Sequence, residues 1–193
     1  DDVLCLAWSS DSLFLASGGL DMNVVVHSLH SLDSYKPPAL TGHRSSVKSA
    51  SFAEDDRAIY AVAKDSSVSV WRLAARPDAD PDEVDRARAA SVAAHGAGRG
   101  EARLGHWWEL AARHFFEKSH ARVVSAAYHA AARILVVGFN SGVFALYAMP
   151  GFTEVHTLSI SDGRVDTCAI SPGGEWLAFG CAQLGQLLVW EWQ

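Results

Sequence analysis

Short apolar runs recur along this chain with a fixed punctuation: a strand-like run, a polar turn, a second run, a tight turn and a third run. The first unit reads Val3-Leu4-Cys5-Leu6-Ala7-Trp8, then Ser9-Ser10-Asp11, then Leu13 to Gly19. It closes with Asp21 in a turn and Val24 to Leu29. The second unit has Val47 to Phe52, Glu54-Asp55-Asp56, Ala58 to Ala63, Asp65 in the turn, and Ser67 to Leu73. The third has Val123 to His129, Ile134 to Phe139, Asn140-Ser141-Gly142 and Val143 to Tyr147. The fourth has Val165 to Ile170, Ser171-Pro172-Gly173-Gly174, Trp176 to Cys181 and Leu187 to Trp190. The step from Asp21 to Asp65 is 44 residues, as is that from His27 to Trp71, and Tyr147 to Trp190 is 43.

A further strand-like segment stands ahead of each later unit: Pro38 to His43, His106 to Phe116, and Phe152 to Ser161. Four strands in a period of ~40–45 residues are the signature of propeller blades, and Gly42-His43, Asp65 and Trp71 fit the G-H…W-D pattern of WD repeats. The expected fold is all-β: four blades' worth of a WD-repeat β-propeller, part of a seven-bladed ring. The repeats fall at about 3–29, 38–73, 106–149 and 152–193, within a partial propeller over 1–193. One blade alone buries neither face, so blades must stack. Sheets buried on both faces read as near-continuous apolar runs, as Ile134-Leu135-Val136-Val137 does.

In WD repeats a turn Asp, the Gly-His histidine, a strand hydroxyl and a Trp form a side-chain network that satisfies buried polar groups and fixes register. The residues at these positions are His43, Asp65 and Trp71 in unit two, Ser17 and Asp21 in unit one, Asn140 and Tyr147 in unit three, and Trp190 in unit four. The spacing puts Ala61 where Ser17 stands in unit one, so the hydroxyl of unit two is missing, and His27 takes the Trp place of unit one. The turn Ala182-Gln183-Leu184-Gly185 lacks the acid.

Composition narrows the functions. The 193 residues are 49% hydrophobic and 20% charged, a globular balance. No apolar run is long enough for a membrane-crossing helix, and no membrane partner is expected. The opening residues lack the basic start and cleavage site of a signal peptide. The chain opens without a methionine, directly on a strand pattern, which suggests a fragment. Cys5, Cys168 and Cys181 all lie in apolar runs, as expected for reduced thiols packed as small hydrophobes. A net charge of −6 with 16 Lys and Arg disfavours strong direct RNA binding by this segment.

Catalytic chemistry finds little support. The His and Asp residues fall at repeat positions that belong to a structural network, and no G-x-S-x-G elbow is present. His27 and His30 are three apart but lie in or beside a strand, so they share no helical face for a metal. Gly96-Ala97-Gly98-Arg99-Gly100 follows no strand and lacks the G-K-[ST] ending of a phosphate loop. No catalytic residue, cofactor or metal site is expected. The turns Ser9-Ser10-Asp11 and Glu54-Asp55-Asp56 are candidates for partner contact.

From 74 to 105 the pattern breaks into an acidic, proline-bearing stretch and then Ala, Arg and Gly. Such a segment buries too little apolar area to offset its ordering entropy, so a low-complexity, disordered insertion is expected, with a short helix around Asp82 to Ala94 as an alternative.

Specificity comes from the later units. Gly185-Gln186-Leu187-Leu188-Val189-Trp190-Glu191-Trp192-Gln193 and Leu135 to Tyr147 resemble the periodic tryptophan protein 2 family. Ala112-Arg113-His114-Phe115-Phe116 after the insertion, Thr41-Gly42-His43-Arg44 and Lys64-Asp65 are similar to it as well. The resemblance implies two tandem propellers and a C-terminal helical domain. It also implies a non-catalytic scaffold role in ribosome biogenesis, within the UTP-B subcomplex of the small-subunit processome in the nucleolus. The implied partners are other processome proteins, together with pre-rRNA and small nucleolar RNA inside the assembly. A WD interaction module of another complex is the alternative.

Overall fold

The computed structural model describes residues 2–29, 36–75, 82, 85, 86, 89, 106–116 and 122–192. Of the expected insertion it describes Ala74 and Ala75, which end a strand, and Asp82, Asp85, Arg86 and Ala89, all four helical. The Arg86 Nε donates to the Asp82 carbonyl one turn back, at 3.0 Å. The rest of the insertion lies outside the described residues.

Four sheets succeed one another along the chain. The first blade holds β1 (Val3–Trp8), β2 (Phe14–Gly19), β3 (Val24–Ser28) and β4 (Ala39–Leu40). The second holds β5 (Val47–Phe52), β6 (Ala58–Ala63), β7 (Ser67–Ala75) and β8 (His106–Phe115). The third holds β9 (Val123–His129), β10 (Ile134–Phe139), β11 (Val143–Ala148) and β12 (Thr153–Ser159). The fourth holds β13 (Thr167–Ile170), β14 (Trp176–Cys181) and β15 (Gln186–Glu191). Every neighbouring pair is antiparallel. The architecture is an all-β, four-blade propeller arrangement.

The outer strands pair backward: β4 with β3, β8 with β7, and β12 with β11. Each segment that stands ahead of a repeat in the sequence therefore completes the blade before it. Sequence repeat and blade are out of phase by one strand, so the chain itself laces each sheet to the next.

Period-two alternation sends the side chains of one sheet to two different neighbours. From the second blade, Ala50, Phe52, Ile59, Ala61 and Trp71 pack toward the first. Tyr60, Val62, Val68 and Val70 pack toward the third, against Val123, Leu135, Val137 and Phe139. The opposite side of the third blade, with Ile134, Val136, Phe144 and Leu146, packs on Val165, Leu177 and Phe179 of the fourth. This two-sided burial is why β10 is buried at all six positions and reads as an unbroken apolar run.

One contact recurs between blades. A bulge after the first residue of β1 and of β5 sets a valine apart from the rest of its strand, at Val3 and Val47. Val47 lies against Gly18 of the preceding blade, and Val165, just ahead of β13, lies against Gly138. Val47 and Val165 are 0% exposed, whereas Val3, on the outer side of the first blade, is 61% exposed. The glycine is required by space: a Cβ at Gly138 would stand 2.7 Å from Val165 Cγ1 and 2.6 Å from Ser125 Oγ. Gly138→Ala is expected to destabilise the protein by about 1–3 kcal/mol through overpacking, read as a lowered urea midpoint at unchanged slope. A midpoint within error of the parent would show that the plug has slack.

Candidate functional site

The repeat-position residues divide into distinct local arrangements. In the first blade Ser17 and His27 face each other across β2 and β3, with Ser17 Oγ 2.9 Å from His27 Nε2. Asp21 does not join them; its carboxylate accepts from the backbone N–H and side-chain amide of Asn23, both at 3.3 Å, and shapes the β2–β3 turn.

In the second blade His43 and Trp71 are neighbours, with ring centroids 6.2 Å apart, and both are buried. Asp65 turns away from that pair as far as hydrogen bonding goes. Its Oδ1 accepts from the Ser67 backbone N–H at 3.2 Å and from the Ser67 hydroxyl at 2.6 Å. His43 Nδ1 lies 3.4 Å from the hydroxyl of the fully buried Ser69. Arg113 on β8 completes the cluster: its Nε donates to Ser69 Oγ at 3.3 Å and its Nη2 to the Gly42 carbonyl at 2.7 Å. Because Arg113 donates to it, the Ser69 oxygen can turn its own proton to His43 Nδ1, which leaves the neutral ring protonated at Nε2.

Two buried donors then lack partners among the described residues, His43 Nε2 and Trp71 Nε1. Ala61 pairs with Ser69 while Ile59 pairs with Trp71, the register in which Ser17 pairs with Val25 and Leu15 with His27. Ala61→Ser therefore sets a hydroxyl in the place from which Ser17 reaches His27, where it can accept from Trp71 Nε1. It is expected to stabilise the protein by about 1 kcal/mol, seen as a higher urea midpoint; a lower one would mean that the side chain does not fit.

Burial, then the Arg113 charge, hold the His43 pKa below its ordinary 6.5, with Asp65 pulling the other way. The unfolded chain therefore takes up a proton at higher pH than the folded one. The stability tied to the neutral ring is intact above about pH 6.5 and is lost as pH falls through the folded-state pKa. The melting temperature is expected to drop between about pH 7.5 and pH 5, and to drop less in His43→Asn. Equal slopes in the two proteins would remove His43 as the source.

In the third blade Asn140 Oδ1 accepts from the Arg122 backbone N–H at 2.7 Å. Tyr147 is buried, stacks on Phe152 at 4.7 Å and donates to Glu154 at 3.5 Å. In the fourth, Trp190 sits between Phe144 (5.5 Å, edge-on) and His156 (5.4 Å, stacked). The acid missing from the turn after β14 is supplied from elsewhere: Asp166 accepts from the Ala182 N–H at 2.8 Å and pairs with Arg164.

A second set of polar contacts runs along the face that carries the first turn of each blade, and sequence spacing gave no sign of it. Asp56 accepts from the Ser10 backbone N–H at 3.0 Å and from its hydroxyl at 2.6 Å, joining blades one and two. Glu54 and Arg133 join blades two and three at 2.8 Å. His129 Nε2 and the Pro172 carbonyl join blades three and four at 2.9 Å. Two of the turns expected to be available to partners, Ser9-Ser10-Asp11 and Glu54-Asp55-Asp56, are thus partly committed to holding blades together. Asp56 is buried.

The thiols suit packing. Burial pushes Cys168 up to about 11 and raises Cys5 as well, so neither is a ready nucleophile at neutral pH. Among the described residues no group of three or more His, Cys, Asp or Glu gathers to hold a metal ion.

Blades of this topology, with a Gly-His histidine and a strand-end tryptophan at one blade interface, define a WD-repeat β-propeller. The WD domain, G-beta repeat family matches residues 1–28 and 36–72. The β-propeller domain of Myceliophteria thermophila Cps50 (Swd1) superposes with a TM-score of 0.63 at 13% identity, over 94% of this chain and 49% of that one. Along its whole length the chain is similar to the periodic tryptophan protein 2 homologs of Neurospora crassa, 40% identical, and Schizosaccharomyces pombe, 37% identical. The chain belongs to the periodic tryptophan protein 2 family. It spans about a fifth of the length of these relatives, 20% and 21%.

Proposed function

We propose that this chain is a propeller segment of a non-catalytic scaffold subunit in ribosome biogenesis. It supports early pre-rRNA processing and small-subunit assembly within the small-subunit processome, as part of the UTP-B subcomplex in the nucleolus. The observation that carries the reading is the match along 100% of the chain to relatives named periodic tryptophan protein 2. The geometry supports the non-catalytic part: the polar residues at the repeat positions are spent on turns, strand pairing and ring packing. In this reading Ser17, Asp21, His43, Asp65, Trp71, Asn140, Tyr147 and Trp190 are structural residues of a seven-bladed ring, and 74–105 is a low-complexity insertion. The partners are processome proteins, with pre-rRNA and small nucleolar RNA held in the same assembly.

The test is depletion of the intact protein with northern analysis of rRNA precursors, beside a pull-down of a tagged copy. Accumulation of early precursors, loss of small subunits with large subunits retained, and recovery of processome proteins are expected. Normal precursors and none of those proteins would leave only a WD-repeat interaction module of another complex.

A further inference from the structure

Gly18, Gly138 and Gly180 hold the same place in their sheets. Each lies on the second strand, opposite Cys5, Ser125 and Thr167 of the inner strand and opposite Val24, Phe144 and Leu187 of the third. In the second blade Val62 takes this place, opposite Ser49. A Cβ at Gly18 or Gly138 would meet two walls. One is the side chain from its own sheet, Cys5 Sγ at 2.8 Å or Ser125 Oγ at 2.6 Å. The other is the plug valine of the following blade, Val47 at 2.8 Å or Val165 at 2.7 Å. At Gly180 the own-sheet wall is there, Thr167 Cγ2 at 2.6 Å, and among the described residues no other heavy atom comes within 4 Å. The strand beside the seat follows suit. Val24 and Val26 of the first blade, and Phe144 and Leu146 of the third, are 0% exposed, whereas Leu187 and Val189 at the same register positions are 73% and 60% exposed.

We propose that this face of the fourth blade docks a further WD blade, whose inner strand opens on a β-branched apolar residue that seats on Gly180. The proposal rests on the reading of these blades as part of a closed ring. It continues an interface that the chain already builds between its first and second and its third and fourth blades: an apolar floor beside a glycine, filled by a plug from the next inner strand. The plug is a valine wherever the chain supplies one. Val3, Val47 and Val123 open their inner strands, and Val165 stands just ahead of β13. A β-branched side chain suits the seat because it is stiff at χ1 and holds its methyl groups at a fixed height above the strand. A blade supplies such a rigid strand, since blades bury their faces only on one another. A polynucleotide fits poorly: Thr167, Ala169, Trp176 and Glu191 flank the seat on this face and include no cation to meet a phosphate.

The experiment takes two readouts from the purified intact protein. Val189→Cys is labelled with a maleimide and followed by peptide mapping, beside Ala131→Cys on the exposed first turn of the third blade. Labelling at 189 is expected to be at least ~10-fold slower than at 131, because a covered thiol reacts only through local opening, and its rate should not change with protein concentration. Gly180→Ala is then made in a Thr167→Ala background, which removes the wall within the sheet. Under a seated plug the added methyl overpacks, so a lower urea midpoint is expected. On an open sheet face the same change replaces a poor strand residue and raises the midpoint. Comparable labelling at the two sites would show the face uncovered and overturn the proposal. So would labelling that quickens on dilution, the mark of a second copy on this face, or a midpoint unchanged or raised by Gly180→Ala. Neither readout involves RNA, so the proposal fails or succeeds independently of any rRNA-processing phenotype.

Discussion

Trp71→Ala is expected to remove roughly 3–5 kcal/mol of stability, the range for deleting a large buried aromatic. Trp71 is 7% exposed and packs in the cluster between the first two blades with Ile59, Ala61, Phe52 and Leu40. The vacated space cannot close easily, because Ile59 and Trp71 are register partners in a sheet held on both faces. The unpartnered Nε1 tempers the loss, since truncation also removes a buried donor without a partner. This argues for the lower half of the range. Chemical denaturation of the intact protein decides it: a loss below ~1 kcal/mol would mean that the ring is not a packing element.

Phe144→Ala is expected to cost at least as much, about 3–5 kcal/mol. Phe144 is fully buried, stacks on Phe179 at 4.2 Å and meets Trp190 edge-on at 5.5 Å, so a single truncation strips partners from two strands of the fourth blade. Amide exchange distinguishes this from a local defect. Exchange in β14 and β15 should accelerate more than exchange in β2 and β3, because the lost contacts belong to the third and fourth blades. Uniform acceleration would instead mean that all four blades open as one unit.

The fold was legible because blade stacking imposes its own rhythm on the chain. The alternation of β6 and β10 between two neighbours produces the apolar runs, and the strand-end aromatics Trp71, Tyr147 and Trp190 repeat because each packs into a cluster its blade shares with a neighbour. The candidate site was legible only where partners share a repeat. Spacing located Ala61 as the gap in the second unit. It could not reveal that the Ser69 hydroxyl, from the next strand, approaches His43, nor that Arg113 steadies it from β8 across the insertion. Asp166 escaped notice because it lies ahead of β13 and not in the turn it serves. Ser10 with Asp56 and Glu54 with Arg133 are 46 and 79 residues apart, and their pairing follows from how sheets are set side by side, which no local spacing encodes.

The valine plugs and the turn contacts sit at opposite ends of the same first strands, and the two ends differ in chemistry. Where Val47 and Val165 press on Gly18 and Gly138 the attachment is apolar, so cooling weakens it and added salt barely touches it. Where Arg133 meets Glu54 the attachment is an exposed ion pair, which salt screens. Ionic strength therefore acts on the fastening between the second and third blades, where Glu54 meets Arg133, while temperature acts on the valine seats at the opposite end of the first strands.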